Sequence, residues 1–395
     1  MTDITSHSWP VFGSADGKSP VGTQLTCTIR CVDPLAHSLF GAAMAKTRLG
    51  RDRALALPVA LLAANVPDVD VLAYAQSADT ALWLRRGWTH GPLGLLLLPA
   101  LVAGLVLLVA RIRGPARSSP DPRRLMLVAY LAAVSHPLLD WLNTYGVRLL
   151  MPFDERWYYG DALFIVDPWM WMLLGASVFL AHGSRPATSL AWLALAAATT
   201  ALIFVAAEHW AGRAVWAGGI LAAAVAKWRA WPARPAPAAR AELHRAAVLA
   251  YAGAMTLGAR AAAAQVRAAA SELGLAPVER LMVGPLPLTP LRRDVVLATR
   301  DEIRVGHFDW LGRPRVVFDE WRASPAGANE VERRALADPC IRGFVNWARF
   351  PYAETQAEDG DVRVDLIDAR YSRMARSGFG SASVVVPAAP ADTSP

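Results

Sequence analysis

At 395 residues, 54% hydrophobic and only 18% charged, with a mean hydropathy of +0.28, the chain is too apolar for an ordinary soluble protein and reads as a membrane protein with a soluble appendix. Its net charge of +7 does not point to a nucleic-acid partner, because the arginines gather in loops beside apolar spans, which is the pattern of a topology signal. Three cysteines, Cys27, Cys31 and Cys340, supply neither an even disulfide framework nor paired Cys-x-x-Cys zinc sites.

In chain order, residues 1–31 are polar and irregular, a disordered or mis-assigned extension without signal-peptide features, and translation is expected to start near Val32. Asp33 and Pro34 fit the cap and first position of a helix over 35–46. An apolar run over 54–66 follows Lys46, Arg48, Arg51 and Arg53, and a clean span over 91–110 precedes Arg111, Arg113, Arg117, Arg123 and Arg124. Weaker spans are expected over 124–141 and 163–181, then a turn at Arg185 and a clean span over 187–207 ending at Glu208 and His209. The runs 214–226 and 246–259 are short and read either as spans or as surface-lying helices. A Pro/Ala linker over 231–239 follows the first of them. From 276 to 386 short alternating runs over 294–300, 302–310, 315–318 and 361–367 mark a small β-rich soluble domain, with a disordered tail over 387–395.

The positive-inside rule places both basic clusters in the cytoplasm. The helix after Arg53 then runs outward to Asn65-Val66-Pro67-Asp68-Val69-Asp70, the next span runs inward from His90, and the helix after Arg124 delivers His136 and Asp140 to the same extracytoplasmic side. Residues four apart share a helix face, so the His136 imidazole and Asp140 carboxylate converge as neighbouring metal ligands. Charged groups at the end of a membrane helix are costly unless they pair, bind metal or face water.

Imidazole and carboxylate together suit a divalent ion, zinc first, with a water of lowered pKa as nucleophile. His90, His136 and Asp140 are the expected ligands. Asp68 and Asp70 are expected as bridging ligand or general base, their mutual repulsion favouring more than one ion. Competing readings stand beside these. His136 and Asp140 fit a structural hydrogen-bonded pair, Asp68 and Asp70 fit caps of the next helix, and His37 alone reads as a core histidine. Asp154 and Asp161 fit interfacial loop carboxylates, and Asp167 fits an N-cap before Pro168. An ion-binding transporter would use the same charges as a relay, and a membrane anchor would present the β-rich domain to a partner.

Asp33-Pro34-Leu35-Ala36-His37-Ser38-Leu39-Phe40-Gly41, Asn65-Val66-Pro67-Asp68-Val69-Asp70, Trp88-Thr89-His90-Gly91 and Ser135-His136-Pro137-Leu138-Leu139-Asp140-Trp141-Leu142-Asn143-Thr144-Tyr145-Gly146 resemble, in order, the four motifs of the YdjM-like bacterial inner-membrane metal-dependent hydrolases. The resemblance continues through Leu149-Leu150-Met151-Pro152-Phe153-Asp154 and Asp161-Ala162-Leu163-Phe164-Ile165-Val166-Asp167-Pro168, covering residues 32–210. Trp88 departs from the smaller residue expected there. That family is distantly similar to zinc-dependent phospholipase C and the S1/P1-type nucleases.

The resemblance implies an all-α multi-pass membrane bundle with a phospholipase C/P1 nuclease-like core over 32–210, further membrane or surface helices over 211–275, and the β-rich domain behind them. It implies His37 as an added ligand, and Asn143, Asp154, Asp161 and Asp167 near the ligands or substrate. It also implies hydrolysis of a lipid or envelope phosphoester at the bacterial inner membrane.

Overall fold

The computed structural model describes residues 33–50, 55–114, 121–181, 186–206, 210–229, 237–275, 277–358, 360–371 and 380–387. The 1–31 extension with Cys27 and Cys31, the basic residues Arg51, Arg53 and Arg117, the turn at Arg185, Glu208 with His209, and residues 388–395 of the tail lie outside them. So do 231–236 of the expected linker, whereas 237–239 already form the first turn of a helix.

Helix α1 spans Pro34–Ala45, with Asp33 as N-cap accepting from the Ala36 N–H at 3.0 Å. Helix α2, Ala56–Asn65, continues as a 3-10 helix, Val66–Ala75, which carries Asp68 and Asp70. Short helix α3, Ala78–Leu84, leads to α4, Pro92–Ile112, and then to α5, Pro122–Trp141. Helices α2, α4 and α5 meet through Ala56, Val59, Ala60, Ala63, Ala64, Ala103, Ala129, Ala132 and Ala133. Such small side chains let backbones approach closely where lipid offers no competing hydrophobic drive. Four described segments are long and apolar enough to cross a membrane: Ala56–Ala75, Pro92–Ile112, Pro186–Val205 and Ala246–Glu272. On α4, Leu96, Leu97, Leu101, Leu105 and Leu108 stay exposed, the face a bilayer would cover.

Gly41 brings α1 close onto α2, since a Cβ there would lie 2.6 Å from the Ala60 carbonyl oxygen and 3.0 Å from the Ala64 Cβ. Gly41→Val should therefore force α1 off α2 and cost about 1–3 kcal/mol, read as a lower apparent melting temperature in detergent. Unchanged melting would contradict the close approach.

Two sequence expectations need correction. Helix α6 is Pro168–Ala181, 14 residues, not the full span over 163–181: Asp167 caps it, and Ala162 and Leu163 turn inward as core residues. Helix α7, Pro186–Ala206, agrees with the sequence, but α8, Trp210–Arg229, and α9, Pro237–Glu272, are longer than their apolar runs. Interrupting arginines such as Arg213 and Arg260 hid their length. Beyond the apolar run 246–259, Ala262, Val266 and Ala270 of α9 pack against the β-rich region.

That region holds two antiparallel sheets. The first is the meander β1 (Arg280–Leu286), β2 (Thr289–Ala298), β3 (Ile303–Asp309) and β4 (Val316–Ala323); the second is β5 (Pro351–Glu358), β6 (Asp361–Asp368) and β7 (Ser381–Val386). Between them lie helices α10 (Glu330–Leu336) and α11 (Arg342–Trp347). It is not a detached appendix. Leu82 of α3 and Tyr145 after α5 share one buried cluster with Phe344, Trp347, Val364, Leu366 and Val384. Asp79 accepts from the Gly343 N–H at 2.6 Å, Arg370 donates to the Thr144 carbonyl at 2.9 Å, and Arg349 grips Asp161 through both nitrogens at 2.9 and 3.0 Å. All three anchors sit at the end of the bundle where α5 delivers Asp140.

Asp161→Asn should loosen this docking by about 1–3 kcal/mol, since it removes the charge from a largely buried bidentate pair. Limited proteolysis is the check: the C-terminal region should be cut faster than in wild type, and an equal rate would mean the ion pair does not hold it.

Candidate metal centre

The short side chains between α2 and α5 set the geometry of His136. They bring the Ala64 carbonyl to 2.6 Å from its Nδ1, so that in the neutral ring Nδ1 carries the proton and Nε2 is free to ligate. His90 is held similarly, with Nδ1 2.9 Å from the Thr89 hydroxyl. Burial lowers the His90 pKa below its ordinary value, which favours the neutral ring.

Asp68, His90, His136 and Asp140 each present one ligand atom, all within 4.8 Å of one another. Asp140 Oδ2 is 3.3 Å from His90 Nε2 and 3.5 Å from His136 Nε2; Asp68 Oδ1 is 3.9 Å and 3.6 Å from the same two atoms. Ligands about 2.0–2.1 Å from a tetrahedral ion stand roughly 3.4 Å apart, so the four match the spacing of a two-nitrogen, two-oxygen site. His90 Nε2, His136 Nε2 and Asp140 Oδ2 are buried and make no hydrogen bond, an arrangement that is costly unless something sits between them. The residues present fit a divalent ion.

His37 and Asp70 flank this set. The His37 ring stacks on His136 with centroids 3.7 Å apart and points Nε2 at Asp140 Oδ1, 3.6 Å away. Asp70 is claimed by protein donors: Arg85 Nη1 on one oxygen, the Arg86 N–H at 2.8 Å and the Thr89 hydroxyl at 3.4 Å on the other.

The remaining expected residues lie outside the cluster. Asn143 Oδ1 accepts from Arg86 Nη1 at 3.2 Å and from the Tyr145 N–H at 2.9 Å, so it shapes the turn after α5. Asp154 is engaged with Arg156 at 2.7 Å and Tyr158 at 3.3 Å. Asp161 belongs to the Arg349 pair, and Asp167 caps α6 while accepting from Tyr251 at 3.0 and 3.1 Å. Each of these carboxylates finds its partners away from the ligands.

Three arginines escaped sequence reasoning, and all are buried: Arg85, Arg86 and Arg148. Arg85 spans Asp68, at 3.0 Å, and Asp70; Arg86 Nη2 lies 2.8 Å from Asp140 Oδ1. Burial pulls the Arg85 pKa down, but the Asp70 and Asp68 carboxylates more than reverse this and raise it above the ordinary value. Arg148 donates to the Trp83 and Arg85 carbonyls at 2.5 and 3.1 Å and stacks over Trp157 at 5.1 Å. A signal existed. Arg85 and Arg86 sit at the bundle end opposite the basic loops, where the positive-inside rule does not call for cations.

Residues 32–211 match the family model described as YdjM inner membrane protein. Over 158 residues the chain is 25% identical to a Bacillus subtilis (strain 168) protein described as uncharacterized protein YfhP, covering 39% of this chain and 46% of that relative. The match thus spans about half the length of the relative. No solved structure matches the chain significantly.

Proposed function

We propose, from the premise that residues 32–211 are a YdjM-type inner membrane region, that this protein is a divalent-metal-dependent hydrolase acting on phosphoesters of lipid or other envelope molecules. The observation that carries the proposal is the set of bare, buried ligand atoms on His90, His136 and Asp140 converging with Asp68. A divalent ion held there would supply Lewis acidity, lowering the pKa of a water and polarising a phosphoryl oxygen. Zinc is the first choice for two imidazoles and two carboxylates.

The protein groups divide the remaining work. Asp68 has a side chain 13% exposed against 4% or less for the other three, so it is the member that meets incoming substrate and the best placed to accept a proton from water. Asp70 positions Arg85 and Arg86. Those guanidiniums, with Arg148 behind them, give the site the positive surroundings that an anionic phosphoester requires.

An amphiphilic substrate is supported by apolar residues on the segments that carry Asp68 and His90 and on the loop packed against them. Val69 and Leu72 on the 3-10 helix, Trp88 before His90, and Leu150 and Phe153 are all exposed. The Met151 carbonyl packs so tightly on Gly91 that a Cβ there would overlap it, which keeps the 150–153 loop beside the His90 turn. The kinship with phospholipase C implied by the motifs belongs to the same reading.

The test is hydrolysis of a generic phosphodiester, bis(p-nitrophenyl) phosphate, and of phosphatidylcholine in mixed micelles by protein purified in detergent. Zinc-dependent turnover, abolished by chelation and reduced about 100-fold or more in Asp68→Asn as expected for a general base, supports the proposal. Metal-independent turnover, or none on any phosphoester, overturns it.

A further inference from the structure

We infer that the centre holds a single divalent ion, because Arg85, Arg86 and Thr89 occupy all but one of the carboxylate oxygens through which a second ion would be bound. The inference rests on the metal-binding reading above and goes beyond it by fixing the number of ions.

To bridge two ions, a carboxylate must give one oxygen to each. At Asp140, Oδ2 faces His90 and His136, while Oδ1 is taken by Arg86 Nη2 at 2.8 Å. At Asp70 neither oxygen is available: Arg85 holds Oδ1, and the Arg86 N–H and Thr89 hydroxyl hold Oδ2. Asp68 Oδ1, the atom aimed at the two imidazoles, already shares its charge with Arg85 Nη2 at 3.0 Å. Arg86 cannot easily swing away. Its Nη1 donates to Asn143 Oδ1 at 3.2 Å and to the Gly146 carbonyl at 3.1 Å, and its guanidinium lies 4.6 Å over the Tyr145 ring.

Charge leads to the same count. Asp68, Asp70 and Asp140 against Arg85 and Arg86 leave one negative charge, and Arg148, fully buried behind Arg85, cancels it. One divalent ion then makes a site that attracts an anion. A second would add two more positive charges to a low-dielectric pocket in which, of these three carboxylates, only Asp68 Oδ2 is left to receive them. His37 marks where a second ion would bind if Arg86 were absent, since its Nε2 stands 3.6 Å from Asp140 Oδ1.

The experiment is metal counting on the full chain in detergent, stripped with chelator, reloaded with Mn2+ and desalted. Elemental analysis gives ions per chain, and electron paramagnetic resonance distinguishes an isolated Mn2+ from an exchange-coupled pair. Wild type and Arg86→Lys should hold about one isolated ion, and Arg86→Met about two, with the coupled spectrum. Two or more ions in wild type would overturn the inference, as would a folded Arg86→Met that still takes only one. If Arg86→Met does not fold, wild type and Arg86→Lys still decide the count. No ion at all in wild type, with Zn2+ as well as Mn2+, would instead overturn the metal-binding reading on which the inference rests.

Discussion

Asp140→Ala is expected to be the most damaging single substitution in this protein. Asp140 is the point where the ligand cluster and the arginine framework meet, with Oδ2 facing both imidazoles and Oδ1 on Arg86. Its removal deletes a proposed metal ligand and leaves a buried guanidinium without its carboxylate. Breaking a buried pair from one side costs about 3–5 kcal/mol, and loss of a direct ligand should weaken metal binding by more than the 10–100-fold typical of an outer partner. Thermal unfolding with and without added Zn2+ separates the two effects. Wild type should be stabilised by Zn2+, whereas Asp140→Ala should melt lower and not respond. A variant that melts like wild type and still gains stability from Zn2+ would remove Asp140 from both roles.

The second large effect concerns sidedness, where the expected outcome is all or none. Positive-inside counting puts Arg111 and Arg113 in the cytoplasm and the His90 and His136 ends outside. The C-terminal region packs on the site end through Asp79, Thr144 and Asp161, so its exposed Cys340 thiol should share the site's side. Thr144 itself is a poor reporter because it lies against Gly284 of β1. Glu155, exposed in the loop after α5, serves better. In a background lacking the native cysteines, Glu155→Cys should react with an impermeant thiol reagent once any outer membrane is permeabilised, and Arg113→Cys only after the inner membrane is broken. Cys340 restored alone should follow Glu155→Cys. Labelling of Arg113→Cys first would put the chemistry in the cytoplasm.

Much of the candidate cluster was legible because its members obey local rules. His136 and Asp140 lie four apart on α5, Asp68 follows the proline that ends α2, and His90 precedes the proline that opens α4. Alternating charge along the chain then sent all of them to one end of the bundle. What failed were groups whose partners are distant in sequence. Asp161 pairs with Arg349, 188 residues away, and nothing near Asp161 announces that. Arg85 and Arg86 look in the sequence like ordinary loop charges, because arginine beside an apolar span usually reports topology.

Fold reading failed for a related reason. Apolar run length finds helices only while both faces meet lipid, so it located α4 and α7 but shortened α8 and α9, where arginines interrupt the run. In α9 the helix continues through Ala262, Val266 and Ala270 at four-residue spacing because a sheet, not a bilayer, covers that face. The alternating strands were visible from 294 onward, yet alternation says which side of a strand is buried and not what covers it. The docking of this region on α3 and the loop after α5 therefore emerged only from the structure.

Whether Asp68, His90, His136 and Asp140 bind a divalent ion is read from the metal content of the purified protein. Wild-type protein and His136→Ala, both folded by circular dichroism, should be purified in parallel without added metal and analysed for zinc, manganese, iron and nickel. Wild type should hold about one divalent ion per chain and His136→Ala near none, because the substitution removes the Nε2 ligand whose orientation the Ala64 carbonyl sets. Equal metal content in the two proteins, or none in either after reloading with Zn2+, would contradict metal binding at this cluster.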